Sequence, residues 1–415
     1  MHRRIRRAAF AVAIVSTVTL TGCGSGFSDA PAGEDGQLST GDGALTVLYG
    51  PSGQAEIDAM TEAVDAWSKD SGTATNLVAA SNLDQQLSQG FAAGKPADVF
   101  YLSTDSLAGY AENGSLLAYG DQLPNKDDFY PGLVRSFTYD GTFYCAPKDF
   151  STLQLVINTD LWTAAGLTDA DVPTTWDQLR TVSQRLTTPE HVGLGVSGEY
   201  ARLGAFMVQA GGNLMNAEGT EATADSPENV EALQYVKTML EGGEAKFAKD
   251  LGAGWGGEAL GKGLAVMTIE GNWITGALSK DYPDVKYKVV ELPAGPAGKG
   301  TLQFSNCWGI AADSKNQKAA LDLVERLTSA DQQLAFSKAF GPMPSIRSAA
   351  DAWRSDNPDL VPFLDGVDYA QGVPTVKGSA DVVTDLNSKL ESLATGDPAE
   401  ILAQTQTNLQ ALTGR

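Results

Sequence analysis

Between residues 44 and 105 the chain alternates two hydrophobic periods, and this alternation constrains its fold more than any other feature. The run ALTVLY (44–49) reads as a buried strand and is followed by Gly50-Pro51-Ser52-Gly53. Ile57, Met60, Val64 and Trp67 then recur at three- and four-residue spacing, as on one face of a helix. A short strand at Thr75–Ala79 and a helix through Leu83, Leu87 and Phe91 come next. PADVFYL (96–102) reads as another strand, with Ser103, Thr104 and Asp105 opening a helix. Strand, helix, strand, helix, strand implies a parallel α/β lobe. Ligands of such lobes bind beyond the C-terminal ends of the strands. That rule places Ser52, Gly53, Ser81, Asn82, Ser103, Thr104 and Asp105 near a crevice.

The full chain has 415 residues, enough for two or three lobes. A second set of elements follows the first. LQLVIN (153–158) reads as a strand, and a helix begins at Asp160. A second helix carries Leu179, Val182 and Leu186, with Thr175 as its cap and Asp177 in its first turn. Helices are expected near 201–209, 227–240 and 317–327 and over much of 382–412. Strands are expected at 264–269 and 308–312. No solenoid-length repeat is evident.

The N-terminus belongs to a different kind of segment. Arg3, Arg4, Arg6 and Arg7 precede the apolar stretch 8–20, which is too short for a spanning helix and reads as a secretory signal. It ends in Leu20-Thr21-Gly22-Cys23, which resembles the lipobox of bacterial lipoproteins. The resemblance implies removal of 1–22 and lipidation of Cys23. The alternative is an ordinary signal peptide with an incidental cysteine. The segment 23–43 is small, polar and slightly acidic, as a tether would be. Cys145 and Cys307 then remain as an even pair in an oxidising compartment, where a disulfide is expected. It would close a loop of more than 150 residues, worth roughly 5 kcal/mol by chain entropy. Two buried free thiols are the alternative. A bond between sites so far apart in sequence suits two lobes joined by crossing segments.

With 51 acidic and 29 basic residues the formal charge is −22, and loss of the signal would make the chain more acidic still. That balance argues against a nucleic-acid partner. No HExxH, GxSxG, CxxC or phosphate-binding glycine loop is present. No metal site or cofactor is expected. Asp149, Asp160 and Glu270 are conceivable glycosidase carboxylates, but sequence cannot bring two of them to hydrolytic spacing. The tryptophans say more. Trp255, Trp273 and Trp308 lie in glycine-rich or polar settings, where an indole can stack on a sugar ring while neighbouring amides and carboxylates bind hydroxyls. Each can equally be a core residue. Asn306 is a further candidate at the crossing.

Five segments together, PADVFYLSTDSLAGYAENGSLLAYG (96–120), PKDFSTLQLVINTDLWTAAGL (147–167), PTTWDQL (173–179), GLAVMTIEGNWITG (263–276) and FGPMPSIRSA (340–349), resemble the extracellular solute-binding proteins of ABC importers. The likeness is to the maltodextrin- and oligosaccharide-binding branch. It implies a two-lobed periplasmic-binding-protein-like α/β fold of type II. The first lobe would hold 44–148 and 309–350, the second 153–305 and 355–412. It implies ligand contacts from Asp149, Ser151, Trp255, Glu258, Trp273, Phe340 and Met343, beside the crevice residues Ser52, Gly53, Asn82, Ser103 and Asp105. It further implies a monomer held to the extracytoplasmic face of the bacterial cell membrane only by its lipid, capturing a neutral di- or oligosaccharide and delivering it to a permease. A glycerol phosphodiester or a polyol is the nearest alternative ligand. A phosphodiester would require a basic group in the cleft, from Lys148, Arg202 or Arg347. A secreted carbohydrate-active hydrolase is the alternative of another class. A Cys145–Cys307 bond is not general in the family.

Overall fold

The computed structural model describes residues 37–216 and 218–414. The signal segment 1–22, Cys23 and most of the tether lie outside the described residues. Residues Ser39–Arg415 pack as one unit.

The strands in chain order are β1 (Leu45–Tyr49), β2 (Thr75–Ala79), β3 (Val99–Ser103), β4 (Thr138–Tyr139), β5 (Thr142–Phe143), β6 (Ala146–Pro147), β7 (Ser151–Thr152), β8 (Gln154–Asn158), β9 (Val192–Val196), β10 (Ala245–Phe247), β11 (Ala265–Glu270), β12 (Tyr287–Val290), β13 (Thr301–Phe304), β14 (Asn306–Ile310) and β15 (Ala370–Gln371). The first lobe is built on the sheet β2-β1-β3-β14-β6, the second on β10-β9-β11-β8-β12. In the first sheet β1 pairs in parallel with both β2 and β3, as the alternating pattern requires. β14 joins antiparallel to β3, with Trp308 opposite Tyr101.

Every residue of β8 and of β11 is buried. Leu155 and Ile157 face one apolar cluster and Val156 another. A sheet covered on both faces needs such uninterrupted apolar strands. Helix starts follow local chemistry. Thr175 accepts from the backbone N–H of Gln178, and Asn158 caps the helix Thr159–Ala164.

Two segments carry the chain between the sheets. β6 leaves the first sheet and β8 enters the second, with β7 between them. β13 and β14 make the return. β7 pairs antiparallel with β13, and β15 flanks β13 on its other side. The backbone N–H of Lys148 donates to Asn306 O at 2.9 Å, and Ser305 Oγ donates to Asp149 O at 2.6 Å. The Cys145–Cys307 disulfide joins these two crossing segments at the first-sheet end, with 5.6 Å between Cα atoms.

The structure departs from the sequence reading at two helices. On the first, Gln54–Ser71, the buried face includes Glu56 while Ile57 is only partly covered. The expected helix over 382–412 is two, Ser379–Leu390 and Pro398–Thr413, because Pro398 cannot continue a helix from the preceding turn.

Candidate functional site

A cleft of about 1540 Å³ opens at the C-terminal ends of β1 and β3 and extends across the crossings to the second lobe. Ser52, Gly53, Ser103 and Asp105 line it from the first lobe. Lys148, Asp149, Ser151, Phe304 and Asn306 come from the crossings, and Tyr200, Asn272 and Trp273 from the second lobe. Phe340 and Gly341 close one edge.

Its base holds a buried charge cluster. Lys148 Nζ lies 3.6 Å from Glu56 Oε1 and pairs more closely with Asp149. Glu56 accepts from the Ser52 N–H at 2.7 Å, the Ser52 hydroxyl at 2.8 Å and the Tyr101 hydroxyl at 2.8 Å. Burial pushes the Glu56 carboxyl up, but Lys148 and these donors outweigh it and hold the group below the usual carboxylate range. Burial pushes Asp149 up, and Lys148 only partly opposes that. The Lys148 ammonium is drawn down by burial and raised overall by Asp149 and Glu56. Its charge is thereby committed inside the cluster.

Trp273 opens the helix Trp273–Asp281 immediately after β11 and is 38% exposed. Gly271 makes this possible, since a Cβ there would come within 2.3 Å of the indole and 2.6 Å of Ser151 Oγ. The Asn272 N–H donates to Ser151 Oγ at 2.9 Å, tying the crossing to the turn that carries the tryptophan.

Four expected contacts fall elsewhere. Asn82 caps the helix Leu83–Ala92 by accepting from Gln85 N–H. Trp255 packs against the cluster of Val156, Leu260 and Ile274 and folds over Gly257, where a Cβ would meet its ring at 2.1 Å. Glu258 is occupied by the Gly254 N–H and by Lys262. Met343 is fully buried, with its carbonyl bonded to the Phe150 N–H. Trp308, the third tryptophan candidate, is a core residue, 1% exposed. Asp160 pairs with Lys286 at the exposed surface. Glu56, Tyr200 and Phe304 were not anticipated. Phe304 stood two residues from the flagged Asn306, whereas Glu56 carried no signal, because an acid in a first helical turn is ordinarily solvated.

Of the three cations named for a phosphodiester, Arg347 bonds the backbone oxygens of Asp127 and Asp128 on the surface. Arg202 is held by Glu199 and Glu270, and Lys148 by its two carboxylates. Among the described residues, no group of three or more His, Cys, Asp or Glu is placed to hold a metal. No helix among them is long and apolar enough to cross a membrane.

The family model for bacterial extracellular solute-binding proteins matches residues 46–362. The chain belongs to this family. Its members are binding proteins rather than enzymes. A putative binding protein of Brucella abortus is 24% identical over 343 residues, covering 79% of this chain and 82% of that one. The cyclic α-maltosyl-1,6-maltose binding protein of Arthrobacter globiformis shares the fold, with a TM-score of 0.79 at 22% identity over 90% of this chain and 99% of that one. So does UgpB of Mycobacterium tuberculosis, solved with glycerophosphocholine, with a TM-score of 0.75 at 18% identity over 90% and 99%. As in those neighbours, this solute-binding protein has two α/β lobes with a cleft between them.

Proposed function

We propose that this protein captures a neutral di- or oligosaccharide in the cleft, closes its lobes over it and delivers it to the permease of an ABC importer. The observation that carries the reading is Trp273, a partly exposed indole set in a cleft rimmed by hydroxyl, amide and carboxylate groups. An aromatic wall with a few placed polar groups fits a sugar, whose ring has an apolar face and a polar edge. Lobe closure is driven only by contacts that the ligand gains in the closed state. Ser52, Gly53, Ser103, Asp105, Asp149, Ser151, Asn306 and Phe340 are the proposed contacts beside Trp273. The proposed lobes are 44–148 with 309–350 and 153–305 with 355–412, meeting at the crossings. Cys23 is the proposed lipid site, on the strength of the tetrapeptide that it ends and the tether-like segment after it.

The titratable groups of the cleft disfavour a phosphodiester. Its lining carries Glu56, Asp105, Asp149 and Asp281 against Lys148 and Lys280, and Lys148 is already paired. The test is a calorimetric screen over maltose, trehalose, cellobiose, xylobiose, raffinose and glycerophosphocholine. Saturable heat with a neutral saccharide and none with glycerophosphocholine supports the reading, and the reverse overturns it. Release of monosaccharide during the titration would make the protein a hydrolase instead.

A further inference from the structure

We propose that Glu270 and Arg202 are positioning residues that lock the Trp273 indole in its attitude toward the cleft. The inference rests on the proposed sugar-binding role of that cleft and adds to it the part that sets the platform's geometry.

An indole at a helix start, 38% exposed, would ordinarily sample several rotamers. Here its one polar atom is engaged. Trp273 Nε1 donates to Glu270 Oε2 at 3.0 Å, and an indole N–H is a donor only. Arg202 Nη2 reaches the same oxygen at 2.6 Å, and its guanidinium carbon sits 5.3 Å from the indole centroid. Glu199 holds the other end of the guanidinium at 2.8 Å. Phe304 meets the ring edge-on, with centroids 5.7 Å apart at 74°. One carboxylate oxygen therefore fixes the ring's edge and, through Arg202, one of its faces. A ligand meets the surface that the guanidinium leaves free.

The cluster is poorly built as a stabilising device. Glu270 is fully buried, and removing an ion pair from water costs about as much as the pair returns. A network kept for stability satisfies all its atoms, yet Glu270 Oε1 and Arg202 Nε make no hydrogen bond. What the arrangement supplies is direction. β11 ends at Glu270 and the helix begins at Trp273, so the carboxylate is anchored in the sheet and the indole is referred to it. Burial pushes the Glu270 carboxyl up, and Arg202 and Trp273 oppose that.

The test has a ligand-free arm and a binding arm. Acrylamide quenching of Trp273 fluorescence is isolated by difference from Trp273→Phe and compared in wild type, Glu270→Gln and Arg202→Met. Higher quenching and a weaker near-ultraviolet dichroism band in both variants are expected, with far-ultraviolet dichroism unchanged. Unchanged quenching in folded variants overturns the inference. If either single change leaves a buried charge that prevents folding, Arg202→Met with Glu270→Met removes both charges and is read in the same way. In the binding arm, maltotetraose affinity should fall about 3- to 10-fold in Glu270→Gln. It should fall no further when the same change is made in Trp273→Phe. An equal loss in both backgrounds overturns the inference, because Glu270 would then act independently of the ring. If maltotetraose fails to bind wild type, the sugar reading loses that ligand, and the quenching arm decides the positioning role alone.

Discussion

Lys148 and Glu56 face each other at 3.6 Å beneath the cleft, although one lies on the crossing between lobes and the other in the first turn of the first helix. The pair thus ties the crossing to the first lobe. Lys148→Met removes the cation and leaves Glu56 as a buried carboxylate and Asp149 as a partly buried one, both without their counter-charge. A loss of about 3–5 kcal/mol is expected, measured by urea unfolding at neutral pH. A loss below 1 kcal/mol would show that solvent reaches the cluster and shields it.

The same cluster predicts an acid limb. The folded pKa of Glu56 lies below its ordinary 4.5, so the unfolded chain takes up the proton first as pH falls. The stability that Glu56 contributes is therefore full above 4.5 and is lost as pH falls through the folded value. Glu56→Gln is expected to be less stable than wild type at pH 7, with the gap narrowing below pH 4.5. A gap that stays constant down to pH 3 counts against the assignment.

Trp273→Ala separates binding from folding. The residue is 38% exposed but its indole donates to the buried Glu270, so a stability loss of about 1–2 kcal/mol is expected, with the fold retained. Affinity for the saccharide identified by calorimetry should fall by about 2 kcal/mol or more, some 30-fold. Undiminished affinity would remove Trp273 from the site.

Gly271→Ala tests the turn that places the indole. Its Cβ would meet the ring at 2.3 Å, and overpacking of this kind costs about 1–3 kcal/mol. Weaker saccharide binding should accompany the loss of stability. A variant that binds like wild type would mean that the ring's placement is not set by this contact.

Replacing Cys145 and Cys307 together by serine is expected to cost about 2–5 kcal/mol under oxidising conditions. Under a reductant that opens the bond in the partly unfolded chain, wild type and variant should converge. Intact mass with and without reduction, after thiol labelling, checks that the bond is present.

How much of this was legible in the sequence depended on whether a residue's role is local. The strands and helices of 44–105 follow from local period, as does the Thr175 cap. Trp273 was readable because an indole beside Gly271 and Asn272, at the end of an apolar strand, has little core to enter. Trp255 had equally suggestive glycine neighbours, yet Gly257 gives its ring room to fold back onto the lobe. Glu56 was hidden for the opposite reason. Its burial depends on Lys148, Tyr101 and Ser52, and two of those partners come from distant segments.

The disulfide has a consequence for the chain as a connected object. Every strand of the second lobe's sheet, from β8 to β12, lies between Cys145 and Cys307 in sequence. That lobe is therefore largely a covalently closed ring set on the first. A protease that cuts any one peptide bond inside the ring opens it without dividing the molecule. The fragments stay joined through the two sulfurs at the crossing, and the first sheet keeps its grip on both ends.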